Sequence, residues 1–206
     1  EHDGRRSDEG EAALADLMAE LHDTPTREPT FGLGRDTRIG PLVQPNTPAD
    51  TWAAFYRDRR LRHFGGMALD RGVISPEAHD DLLRVCDRLE GMLAETADDP
   101  PALLHGDLWE GNILWDRGHP KALIDPACHR GHPEVELAFM DLMGGLGPVF
   151  WNRYRKHRPD RGEGWPTRRA IYRLYPLLVH AILFDGGRVG GYGDAVRSTL
   201  CGVLAA

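Results

Sequence analysis

The sequence predicts an α+β domain in which a mainly helical body carries one small β-hairpin. Apolar residues recur at helical spacing through several stretches, two of them opened by Ser-Pro or Thr-Pro. Two short apolar β-type runs, 112–115 and 122–125, flank a turn-rich connector, D-R-G-H-P-K. Just before the first run lies a polar turn, L-H-G-D-L-W-E-G-N-I-L-W over 104–115.

In chain order, residues 1–10 are polar and contain glycine, a start or linker ahead of a unit spanning 11–206. Leu14, Leu17, Met18 and Leu21 share one helical face, which predicts an amphipathic helix from Asp8 to Asp23. T-P-T-R-E-P-T breaks it, and residues 24–46 show no period, so an ordered loop is expected there. Thr47 and Pro48 supply a cap and a first-turn proline, with Asp50 completing a capping box. Trp52, Phe55, Tyr56 and Arg59 follow on one face. Ser75 caps a third helix carrying Leu82, Leu83, Cys86, Leu89 and Leu93. After the hairpin, helical segments are expected to end near Gly144 and near Arg158. A long helix over 167–185, bent at Pro176, precedes a last one from Gly193 onward.

The 206 residues suffice for one domain with a core, or for one lobe of a larger enzyme. A formal net charge of −7 gives no electrostatic footprint for nucleic acid or an anionic membrane. No apolar run reaches bilayer length. Three cysteines far apart, without C-x-x-C, fit reduced thiols and a cytoplasmic setting.

The polar turn sets Asp107 and Asn112 five positions apart, and Asp125 follows thirteen residues later. Such a pair often forms only an Asx turn, capping backbone groups. Phosphoryl transfer would use the same residues differently. It needs a carboxylate near the attacking hydroxyl and oxygen ligands that hold magnesium against the phosphates. A hairpin brings the start of one strand beside the end of the other, and so Asn112 beside Asp125. With H-G-D before the turn and I-D-P closing the hairpin, the second reading is favoured.

H-G-D-L-W-E-G-N followed by I-D-P-A resembles the fructosamine kinase (ketosamine 3-kinase) family, relatives of the aminoglycoside phosphotransferases and of protein kinases. The stretch F-G-L-G-R-D-T-R-I-G-P-L-V-Q-P-N at 31–46, the Trp52 and Phe55 pair, R-R-L-R-H and G-H-P-E-V-E-L-A-F-M-D-L-M-G-G also match. The resemblance implies a protein-kinase-like fold, mainly its α-rich C-terminal lobe. It implies ATP- and Mg2+-dependent phosphorylation of a fructosamine or ribulosamine at its 3-hydroxyl, as in protein deglycation or repair. Residue by residue, it implies Asp107 as catalytic base and Asn112 and Asp125 as magnesium ligands. His105 and Glu136 would support the catalytic loop, with Glu136 anchoring its backbone, and Trp109 would shelve the substrate's sugar. A helix-dipole acid at Glu136 and a plain core tryptophan at Trp109 stay open as alternatives. The implied partners are a nucleotide and a small sugar-amine or glycated protein.

The family also implies a strand-rich N-terminal lobe with a glycine-rich loop and a strand lysine. Here G-x-G-x-x-G is absent, and the two lysines, Lys121 and Lys156, come too late in the chain. The expectation is therefore that the N-terminal β lobe is not present in this chain and lies upstream in the same enzyme. Two other functions compete: a kinase of another small hydroxylated amine, aminoglycoside or choline, and a non-catalytic remnant that binds metal or a partner. Four further features are read plainly. His129 and His132 make a poor zinc pair. Cys128 is a small filler or an oxidation-sensitive thiol. Gly186, Gly187, Gly190 and Gly191 form a loop, not a phosphate cradle. The basic run 153–158 is a solvated helix face.

Overall fold

Helix α1, Asp8–Asp23, begins where Ser7 Oγ accepts the Gly10 N–H at 3.0 Å. Acidic Asp8, Glu9 and Glu11 fill its first turn, the sign that a helix N-terminus favours. Its buried stripe is Leu14, Ala15, Met18 and Ala19, whereas Leu17, expected on the same face, is exposed. These positions come from a computed structural model that describes residues 6–26, 28–159, 162–186 and 191–206.

The expected loop over 24–46 instead contains a two-stranded ribbon, β1 (Thr37–Ile39) against β2 (Leu42–Gln44), turned at Gly40 and Pro41. Three-residue strands are too short to show alternation, so no period announced them. The cap expected at Thr47 also moves. Ala49 exchanges both backbone hydrogen bonds with Phe31 at 3.0 Å, which keeps 47–50 extended. Helix α2, Trp52–Tyr56, therefore starts after Thr51, whose side chain accepts the Ala54 N–H. Its path continues through a π-helical turn, Arg57–Arg62, into α3, His63–Asp70. Helix α4, Pro76–Met92, is capped by Ser75 as its sequence predicts.

Next come β3 (Ala102–Leu104), β4 (Ile113–Asp116), β5 (His119–Leu123) and β6 (His129–Gly131). Strands β4 and β5 form the expected hairpin, with Arg117 and Gly118 both at positive φ in its turn. No local signal marks the pairing of β3 with β6, which closes the polar turn and the hairpin into one unit. Four helices complete the chain: α5 (Pro133–Met143), α6 (Pro148–His157), α7 (Trp165–Phe184) and α8 (Tyr192–Ala205). Residues 187–190, which include Gly187 and Gly190, lie outside the described residues.

Pro176 sits inside α7, which runs on through it as one helix. Proline has no N–H, so the carbonyl of Tyr172, four residues back, loses its helical donor. The Tyr56 hydroxyl donates to that carbonyl at 3.0 Å and supplies the missing bond. Basic residues on α6 are not simply solvated. Arg153 and His157 both pair with Asp16 of α1, at 2.6 and 2.7 Å, and Arg158 pairs with Asp23.

Two apolar cores result. The larger joins α2, α3, α4, α7 and α8 around Phe55, Phe64, Leu82, Tyr172 and Leu178. A smaller one packs α1 and α6 against Leu108, Ile113, Trp115 and Met140. Buried Glu11 ties this second core together by accepting the Gly147 and Phe150 N–H groups at the start of α6. In the larger core, fully buried Arg168 makes a bidentate pair with Glu134 at 2.7 and 2.8 Å. No described helix is long and apolar enough to cross a membrane.

Candidate active site

The polar turn runs between the two cores. Leu104 of β3 is buried in the larger one, and Leu108 and Ile113 are buried in the smaller. Between these anchors the chain must turn tightly. Gly106 does so at φ +83°, and a Cβ there would lie 2.2 Å from the Ala127 carbonyl oxygen. Glycine is required twice over, by conformation and by space.

Glu136, in the first turn of α5 and 2 % exposed, accepts backbone N–H groups from this loop. Oε2 takes the His105 N–H at 3.2 Å, and Oε1 takes that of Gly106 at 2.7 Å. Its carboxylate also meets His22 Nε2 of α1 at 3.0 Å, and His22 Nδ1 meets the Tyr154 hydroxyl at 2.7 Å. The His105 ring adds a second tie. Its Nε2 donates to the Ile124 carbonyl at 2.9 Å, while Nδ1 receives the Asp107 N–H at 3.4 Å. Burial lowers the His105 pKa and so favours the neutral ring, and the two hydrogen bonds set its tautomer.

Asp107 is thus placed by its backbone, and it lines a cavity. Burial pushes its pKa up to about 6; the Asn112 hydrogen bond opposes this, and the charges of Asp125 and Glu136 add to it. Asn112 Nδ2 donates to the Asp107 carbonyl at 2.7 Å and approaches Asp107 Oδ2 at 3.4 Å. That leaves the amide oxygen of Asn112 for another partner. The Asn112 carbonyl accepts the Ile124 N–H at 3.0 Å, and the hairpin so carries Asp125 back beside the loop. Asp125 holds φ +52°, a left-handed conformation that costs about 1 kcal/mol or more for a residue with a side chain.

Asp107, Asn112, Asp125 and Glu136 all line one cavity of about 490 Å³. Trp109 lines it too and is 38 % exposed, which excludes the core-tryptophan alternative. Its indole lies against Gly111, where a Cβ would fall 2.3 Å from the ring. His105 stands behind the loop. Arg38, Arg60 and Phe139, which lie in the matching stretches but were given no role there, line the cavity as well, as do Tyr175 and His180, which no motif contains. Nothing local in the sequence shows which helix faces and strands meet at the cavity.

Among the described residues no three His, Cys, Asp or Glu side chains converge as a metal centre. The oxygen donors facing the cavity suit a hard cation that keeps water or phosphate among its ligands. Cys128 is half-buried, and burial and Glu136 raise its pKa, which disfavours the reactive thiolate.

The sequence model of the fructosamine kinase family matches residues 2–204. The chain belongs to the fructosamine kinase family. The match does not support the expectation that the N-terminal β lobe is missing from this chain. The chain is 34% identical over 180 residues to the chloroplastic protein-ribulosamine 3-kinase of Arabidopsis thaliana, covering 86% of this chain and 53% of that protein. It is similar to the crystal structure of a candidate fructosamine-3-kinase from Thermobifida fusca, with TM-score 0.87 and 34% identity over 100% of this chain and 68% of that one. It shares its fold with an aminoglycoside phosphotransferase, a thermostable mutant solved in apo form, at TM-score 0.54 and 16% identity over 100% and 70% of the two chains. The kinase-like fold of this family member is thereby shown. The chain spans between about half and two thirds of the length of such curated relatives.

Proposed function

We propose that this chain carries the phosphoryl-transfer site of an ATP- and magnesium-dependent ketosamine kinase. One observation carries the reading: Asp107, Asn112 and Asp125 meet at one cavity, and Asp107 is held near pKa 6. A base poised there is ionised at neutral pH yet basic enough to share a proton as it is released.

Asp107 accepts the proton of the substrate's 3-hydroxyl while that oxygen bonds to the γ-phosphorus of ATP and the bond to the β-phosphate breaks, releasing ADP. Asn112 and Asp125 are the residues that would hold magnesium, which when bound neutralises charge on the phosphates. Glu136 and His105 keep the loop from shifting, and position is most of what such a catalyst supplies. Trp109 offers an aromatic face to the apolar side of the sugar. The role this supports is repair of glycated amines.

The test incubates the full-length protein with γ-labelled ATP, magnesium and a set of acceptors: a fructosamine, a ribulosamine, choline and an aminoglycoside. Label transferred to the ketosamines, located at O3 by NMR, supports the reading. Transfer to choline or the aminoglycoside instead would replace it with another amine kinase, and transfer to none would end it.

A further inference from the structure

The cavity that holds Asp107 also contains two arginines whose charge the mechanism does not use. Arg38 comes from β1 and Arg60 from the π-helical turn. Arg38 is exposed, and it donates a hydrogen bond to a neutral acceptor, the Pro41 carbonyl, at 3.0 Å. Arg60 is 1 % exposed. Its terminal nitrogens reach the carbonyls of Pro45 and Arg59 and the side-chain oxygen of Asn46, and its Nε has no partner. Among the described residues neither arginine makes an ion pair, and Asp36 acts on Arg60 only from a distance.

A buried guanidinium without a carboxylate is costly. Packing over Phe55 and Tyr175, at 4.7 and 5.4 Å from the ring centres, offsets part of that cost. Burial draws its pKa down to about 10, so the charge persists at neutral pH. One cavity thus presents two cations without acid partners together with three acids, Asp107, Asp125 and Glu136. A ketosamine is a secondary amine and carries a positive charge, which the acids suit. The arginines call for a negative group on the same molecule.

Resting on the kinase reading, we propose that the preferred acceptor is zwitterionic: a ketosamine built on the α-amino group of an amino acid, whose carboxylate faces Arg38 and Arg60. A volume of about 490 Å³ lies within the range of roughly 300–1,000 Å³ that takes a small ligand. An adduct on a lysine side chain within a protein has no carboxylate beside its amine and would leave the arginines without a partner.

The experiment compares kcat/KM of the full-length protein for 1-deoxy-fructosyl-glycine and for its glycinamide analogue, identical but for the charge. The acid should be favoured by about tenfold or more, the worth of a charge-assisted hydrogen bond. In Arg38→Glu the acid-to-amide ratio should fall below one, with KM for ATP unchanged. A wild-type ratio within about twofold overturns the proposal, and so does an Arg38→Glu variant that keeps the wild-type ratio. A rise in KM for ATP would assign the arginines to nucleotide phosphate, which also overturns it. If both ketosamines are phosphorylated equally, the kinase reading stands and only this inference fails; if neither is, the kinase reading itself fails.

Discussion

His22 Nε2 lies 3.0 Å from Glu136 Oε2, and the same carboxylate carries the backbone N–H groups of His105 and Gly106. A residue at the end of α1 is therefore coupled to the loop that presents Asp107. Both side chains are buried, at 3 % and 2 % exposure, so water cannot replace either partner. Glu136→Gln keeps the size but offers an N–H₂ group where an acceptor is required. The expected loss is about 1.5–3 kcal/mol of stability, the worth of a charged hydrogen bond, with kcat reduced more than KM raised. Urea denaturation and steady-state kinetics check both, and a variant matching wild type in stability and kcat would show the loop to be held by other means.

Asp107→Asn should lower kcat by about 10²–10⁴-fold, the range that general-base removal costs, with nucleotide affinity little changed. Stability should move the other way. The folded pKa of about 6 lies above the ordinary value of 3.8, so the native state binds the extra proton and stability falls as pH rises through that interval. An amide escapes this penalty. The variant should melt higher than wild type at pH 7, and the gap should close below pH 4. An equal gap at both pH values would mean that the charge is not the cause.

A rate profile follows from the same group. kcat/KM should fall on the acid side near pH 6, where Asp107 takes up its proton, and not near the usual carboxylate range around 4. This limb should disappear in the residual activity of Asp107→Asn.

Magnesium dependence should separate the other two residues. Asp125→Asn removes a charge but keeps a side chain that tolerates the left-handed φ of +52°. Asn112→Ala removes a neutral oxygen and the tie to Asp107. Both should raise the magnesium concentration giving half-maximal rate, Asp125→Asn the more. Unchanged half-saturation in both would remove the hairpin from the metal's coordination.

Tyr56→Phe strips the donor from the Tyr172 carbonyl and should cost about 1–3 kcal/mol, the penalty for a buried unsatisfied acceptor. In a Pro176→Ala background the helix supplies its own N–H, so the same substitution should cost much less. Comparable costs in both backgrounds would show that the hydroxyl is not serving the proline's gap.

Elements with local signals were legible in the sequence. Ser75 and the Leu82 to Leu89 stripe announced α4, and H-G-D with I-D-P announced the loop and hairpin. Elements fixed by remote partners were not. The Phe31–Ala49 bridge overrode a good cap at Thr47, and β3 and β6 exist only because they pair across 24 intervening positions in the chain, between Leu104 and His129. The catalytic candidates sit on one continuous stretch and could be read there. Arg38, Arg60 and Tyr175 reach the cavity from three other segments, and only the fold brings them to it.

The two-core arrangement has a consequence for how the molecule opens. Exchange of amide hydrogens should report two cooperative units, one built on α1, α6 and the hairpin, the other on α2 to α4 with α7 and α8. The first turn of α1 couples the former closely. Ser7 donates to the Gly118 carbonyl, and a Cβ on Gly10 would strike that same oxygen at 1.7 Å. Unzipping α1 would release the hairpin and the start of α6 in one event. Because the 105–112 segment has an anchor in each unit, local opening of either one is enough to dismantle the site, and catalysis should be lost on heating before the larger unit melts.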